Sequence, residues 1–158
     1  MKGRVIIPFF LIALFAIGCL SKRISPKSSI SYQRTACYGT CPIYSLTIDG
    51  SGLVSYNGER FADKLGDWQL QLDKSETQEI FNRILNIGWD TMSSVYDRGV
   101  TDFPSTILRV NHKQLKDSVV LTGVHLPALD STFVRLNRMV SGNSGRWKQL
   151  SAPIEIQP

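Results

Sequence analysis

Histidine is nearly absent, cysteine is sparse, and no apolar run is long enough to span a bilayer. The chain has 158 residues, with two histidines and three cysteines. His112 and His125 are not paired at any metal-ligand spacing, so a structural zinc signature is missing and no metal is expected. No Gly-x-Ser-x-Gly elbow occurs, which leaves a hydrolase of that kind without support. No catalytic constellation and no cofactor motif is found, so the expectation leans away from an enzyme. The apolar run from Val5 to Gly18 is uncharged and has 14 residues. At ~1.5 Å rise per residue it covers ~21 Å, short of the ~30 Å hydrocarbon core. Surplus charge is also missing from the body of the chain. The formal charge is +5, but five of the 18 basic residues precede Arg34, and the 13 that remain balance the 13 acidic ones. A neutral domain lacks the electrostatic footprint of a phosphate-backbone binder, so nucleic acid is excluded as an expected partner.

What is present begins with a leader. Met1-Lys-Gly-Arg4 is a positive n-region, the apolar run follows, and Ala16-Ile17-Gly18 sets small residues before Cys19. That layout reads as a secretory signal rather than a spanning helix. It resembles a bacterial lipoprotein signal with its lipobox, with Ala16 in place of the usual Leu. The resemblance implies a signal peptide over 1–18 and lipidation of Cys19. Residues 19–31 are rich in Ser and Lys, contain Pro26 and show no periodicity, which predicts a flexible tether. A single domain is expected over 32–150, and 151–158 are read as a tail.

If Cys19 carries lipid, Cys37 and Cys41 remain as a pair. Outside the cytoplasm a disulfide is the default expectation for them. Three residues including Gly39 separate them, so a bridge requires a turn at Tyr38-Gly39-Thr40, with Gly39 as the residue at positive φ. Two alternatives stay open, a thiol-redox pair and a metal site. The first needs a thiol of depressed pKa, for which Arg34 is a candidate cation. The second needs two further ligands.

Periodicity then outlines the elements. Ile43–Ile48 and Leu53–Tyr56 alternate around Asp49-Gly50-Ser51-Gly52, predicting a hairpin. Asn57-Gly58 is read as breaking its second strand, with a short strand over Arg60–Lys64 and another at Trp68–Leu72. Asp73-Lys-Ser-Glu76 has capping-box spacing, and Ile80, Phe81, Ile84, Leu85 and Ile87 follow on one helical face before Gly88. Trp89–Ser105 is expected to be a loop. Within it, Asp97, Arg98 and Asp102 are a candidate ligand cluster beside a simpler turn reading around Gly99 and Pro104. Thr106–Val110 and Ser118–Leu121 predict a second hairpin. Pro127 opens a second helix with Leu129, Phe133, Leu136 and Val140 on one face and Gly142 at its end. The fold class expected is α+β: an antiparallel sheet from two hairpin-containing halves, with two amphipathic helices packed on one face.

With these elements placed, the chain resembles a family of bacterial lipoproteins, common in Bacteroidetes, that carry a domain of unknown function (family 6438). The residues that carry the resemblance are Arg34, Cys37, Gly39, Cys41, Pro42 and Tyr44, then Asp49-Gly50, Tyr56, Gly58, Gly66, Asp102, Pro104 and Arg146-Trp147. It covers roughly Ser31 to Trp147 and implies fold and location but no activity. Arg34, Tyr38 and Asp102 are the candidate ligand or partner surface. The expected function is a membrane-anchored envelope lipoprotein with a small binding domain, anchored in the outer membrane and facing the periplasm. Its expected partners are the membrane through the lipid, and another envelope protein or peptidoglycan.

Overall fold

The computed structural model describes residues 24–142 and 145–151. Cys19, the leader and the first part of the expected tether lie outside the described residues, as does the tail from 152. Eight strands form one sheet, and two α-helices join it. The strands are β1 (Ser29–Arg34), β2 (Ile43–Asp49), β3 (Leu53–Arg60), β4 (Gly66–Gln71), β5 (Val95–Asp97), β6 (Ser105–His112), β7 (Leu115–Thr122) and β8 (Lys148–Ser151). The helices are α1 (Lys74–Leu85) and α2 (Pro127–Ser141). Sheet order is β5-β7-β6-β1-β2-β3-β4-β8, antiparallel except where β5 pairs with β7. This is the expected α+β class.

The two halves meet at β1, which pairs with β2 on one side and β6 on the other. Ile30 and Tyr32 of β1 are buried, while Ser29, Ser31 and Gln33 are only half-buried. Successive side chains of a strand point to opposite faces, so one face of β1 is apolar and the other polar. The same alternation buries Tyr44, Leu46 and Ile48 on β2 and Val54 and Tyr56 on β3. The core is these residues packed against Ile80, Phe81 and Ile84 of α1 and Leu129, Leu136 and Val140 of α2. Both helices therefore lie on one face.

Local chemistry fixes the corners. The Asp49 carboxylate accepts from Ser51 N at 2.8 Å and Leu53 N at 3.1 Å, closing the β2–β3 turn. Asp73 and Glu76 complete a reciprocal capping box at the start of α1. Pro127 occupies the first turn of α2, where its missing N–H costs nothing.

Several expectations need correction. The tether does not reach residue 31: Ser29–Ser31 belong to β1, and Ser28 is buried, its Oγ 2.9 Å from His112 Nδ1. Asn57-Gly58 does not end β3, which runs on to Arg60, and 61–64 form the turn to β4 rather than a strand. The expected loop over 89–105 contains a 3-10 turn at Trp89–Thr91 and strand β5. Strand β8 closes the expected domain where no element was predicted, and it takes in Ser151, the first residue read as tail.

Candidate functional site

The strands align one end of the sheet as a cluster of loops. β1 ends at Arg34 next to the start of β2, the end of β3, the start of β4 and the start of β6. The chain enters β1 at Ser29, beside Asp49 and Asn111, at the opposite end. Six residues at ~3.3 Å each separate the two ends by roughly 20 Å.

Between β1 and β2 the loop is closed by a disulfide joining Cys37 and Cys41, whose Cα atoms are 5.8 Å apart. Gly39 sits at φ +151° and donates its N–H to Cys37 O at 2.9 Å, the turn the bridge requires. Tyr38 stands on this loop 92% exposed, and its N–H donates to Asp102 O at 3.3 Å. Arg34, Tyr38 and Asp102 thus share one end of the sheet. Their side chains do not form one cluster: Arg34 lies on the helix side, and Tyr38 reaches outward. Strands β1 and β2 flank the loop, so neither cysteine belongs to the first turn of a helix. Among the described residues no group of three or more His, Cys, Asp and Glu side chains could hold a metal ion.

Arg34 follows Ile30 and Tyr32 in the inward register of β1, and it borders a cavity of about 250 Å³. Pro42, Tyr44, Phe61, Asp63 and Asn137 also line that cavity. Arg34 Nε is buried and has no hydrogen-bond partner among the described residues. No ion pair holds its guanidinium among the described residues. Beside it, Asn137 Oδ1 accepts from Tyr44 Oη at 2.7 Å and from Tyr32 Oη at 3.0 Å. Burial first, and then the neighbouring Tyr32, push the Tyr44 hydroxyl far above the ordinary tyrosine range, so it remains a donor. With its oxygen engaged twice, Asn137 retains its amide hydrogens for another acceptor.

The β3–β4 turn forms the far wall. Tyr56 Oη donates to Lys64 O at 3.1 Å, and burial, helped by Asp63, raises that hydroxyl to about 12. Lys64 Nζ donates to Val140 O at 2.7 Å and Gly142 O at 3.1 Å, capping the carbonyl end of α2. Phe61 is about half exposed and adopts φ +56°, a left-handed conformation that costs a non-glycine residue ~1–2 kcal/mol. Phe103, also about half exposed, lies in the β5–β6 loop that carries Asp102.

The Asp97-Arg98-Asp102 cluster resolves as a turn: Asp97 Oδ1 accepts from Gly99 N at 2.8 Å, and Gly99 has φ +71°. His112 is at the opposite end against Ser28, and exposed His125 meets half-buried Asp130 at 2.8 Å. Trp89 is buried, and Trp68 and Trp147 are half-buried against the core. Sequence reasoning named Arg34 and missed Asn137, Phe61 and Lys64. Phe61 left one signal, a lone aromatic inside Glu59-Arg-Phe-Ala-Asp-Lys64.

The model of a family described as a domain of unknown function (DUF6438) matches residues 28–140. The chain belongs to this family. The match begins one residue before β1 and ends one residue before the end of α2, so the family domain includes every residue named above as lining the cavity. Beyond it lies β8, which extends the family sheet at the β4 edge. No curated protein matches the sequence. No helix among the described residues is long and apolar enough to cross a membrane.

Proposed function

We propose that the chain is a bacterial lipoprotein of the cell envelope, of the Bacteroidetes type, whose domain is a binding module. Its partner meets it at the Cys37–Cys41 end of the sheet. The leader supports the first half: a positive n-region, 14 uncharged residues and a small-residue approach to Cys19. A disulfide between the two remaining cysteines suits an oxidising compartment. One observation carries the second half. The end of the sheet remote from chain entry combines a half-buried arginine, whose buried Nε has no partner among the described residues, with three exposed aromatics, Tyr38, Phe61 and Phe103. Folding alone favours neither, and aromatic and arginine side chains are what binding surfaces enrich.

On this reading the signal peptide is 1–18, lipid on Cys19 fixes the chain to the outer membrane, and the domain faces the periplasm. The binding end then points away from the anchor, toward another envelope protein or peptidoglycan. The test is a photo-crosslinking amino acid placed at Tyr38, compared with one at Lys116 at the opposite end, in intact cells. One defined adduct at position 38 and none at 116 is expected. Equal labelling at both positions would remove the assignment of the binding end.

A further inference from the structure

Resting on that reading of the Cys37–Cys41 end, we propose that its cavity binds a carboxylate, borne by a small acid or by the C-terminus of a peptide. Arg34 offers a guanidinium whose Nε is buried and unpartnered, a state that leaves a desolvated donor without compensation. Asn137 stands across the same cavity with its oxygen held by two tyrosine hydroxyls and its amide hydrogens left over. A fork of guanidinium N–H groups plus a neutral amide donor matches the two oxygens of a planar carboxylate. Charge selects a monoanion over a phosphate dianion. Arg34 is the single cation lining the cavity, and Asp63 lies on the same wall. Of the two cations that flank the Phe61–Asp63 wall, Arg60 stacks over the Phe61 ring at 5.1 Å from its centroid, and Lys64 is engaged with the last carbonyls of α2.

Size and rim argue for more than a bare carboxylate. About 250 Å³ accommodates an amino-acid-sized group rather than a whole domain. Pro42 and the Phe61 ring supply apolar wall beside the polar donors. Phe61 is held there at φ +56° although glycine would relieve the strain. Backbone strain of this kind is found where a side chain has work besides folding.

The test uses the ¹⁵N-labelled full chain in mild detergent, following the Arg34 Nε–Hε and Asn137 side-chain resonances by two-dimensional NMR. The probes are N-acetyl-alanyl-phenylalanine, the same peptide amidated at its C-terminus, acetate, and inorganic phosphate. The free acid is expected to shift both resonances saturably, and amidation to weaken binding by on the order of tenfold to a hundredfold. Arg34→Gln should lower affinity for the acid by a similar factor with its thermal transition retained. Should that variant fail to fold, Phe61→Gly keeps the question open to measurement: it should fold at least as well and weaken the peptide more than acetate. Acetate binding as well as the peptide would support the inference and assign a free small acid as the source. A peptide preference assigns a chain terminus. Equal binding of acid and amide, tighter binding of phosphate, or no shift with any probe overturns the inference. The binding-end reading is then judged separately, by the crosslink at position 38.

Discussion

Replacing Gly58 by alanine probes how the site's far wall is built. Gly58 pairs with Tyr44 on β2 and with Gly66 on β4, so it faces the same side as the buried tyrosines. A Cβ at this position would fall more than 1 Å inside the 3.0 Å limit against the Lys64 carbonyl oxygen, and 2.9 Å from Tyr56 Oη. The first obstacle is backbone, so it cannot rotate away. Overpacking of this kind costs ~1–3 kcal/mol. Moving the Lys64 carbonyl also breaks its bond from Tyr56, leaving a mostly buried hydroxyl without an acceptor for another ~1–3 kcal/mol. Gly58→Ala should therefore cost about 2–6 kcal/mol. With a mid-range urea m-value of ~2 kcal/mol/M, the midpoint should fall by about 1–3 M. Gly145→Ala is the matched control, because a Cβ there meets nothing within 4 Å. A Gly58→Ala protein within about 0.5 kcal/mol of the parent would show that the turn yields freely and that the wall is not rigid.

Four further outcomes follow from the packing and the hydrogen bonds. Phe81→Ala, at a fully buried ring of the α1 stripe, should cost ~3–5 kcal/mol by denaturant titration, and a loss under ~1 kcal/mol would place that stripe elsewhere. Replacing Cys37 and Cys41 together by alanine should cost ~2 kcal/mol or less, because the bridge closes only a short ring; complete unfolding would contradict this. Burial, and then Lys113, hold the His112 ring below its ordinary value of 6.5, so the unfolded chain takes the proton first. Stability should thus be full above that value and fall as pH drops through 6.5 toward the lower folded value, and His112→Gln should flatten the dependence in that window. The carboxylates of Asp67, Asp73 and Glu76, held low mainly by their hydrogen bonds, should respond only at more acid pH, starting from ordinary values of 3.8 and 4.5.

Legibility in the sequence tracks how much of an element is set locally. Helix α1 is readable because its cap and its apolar stripe lie within fifteen residues of one another, Asp73 through Ile87. Strand β1, the seam of the sheet, is not. Its outward residues are Ser29, Ser31 and Gln33, and only Ile30 and Tyr32 report burial, so it blends into the polar stretch before it. Gly58 reads as a breaker, whereas it is needed for the close approach of the Lys64 carbonyl six residues later. Strand β8 is exposed at all four positions and therefore carries no alternation. Strand β5 is three residues long and parallel, paired through β7. The site follows the same rule. Arg34 and Tyr38 are visible because a short motif surrounds them. Asn137 reaches Tyr44 from 93 residues away and Tyr32 from 105, a separation no local pattern encodes.

The Cys37–Cys41 end shows what the fold maintains beyond its own stability. A five-residue disulfide ring stabilises by only ~2 kcal/mol, and the Tyr38 ring it presents is almost wholly exposed. Phe61 adds strain of ~1–2 kcal/mol, and Arg34 Nε adds an unmet donor in the interior. Apart from the small gain from the disulfide, each of these features is neutral or unfavourable for folding. Opposing them, Lys64 on the α2 carbonyls and the paired tyrosine hydroxyls on Asn137 fix the walls around them. Strained or unsatisfied groups persist only where surrounding structure over-determines them, and here that structure surrounds one cavity. The opposite end of the sheet has a strained residue too, Lys113 at φ +56°, but it lies in the tight β6–β7 turn, where hairpin geometry accounts for it. The Phe61 turn is different: its residue is bulky and lines the same cavity as Arg34, whose Nε has no partner among the described residues. A shape kept at this expense is best accounted for by what it holds.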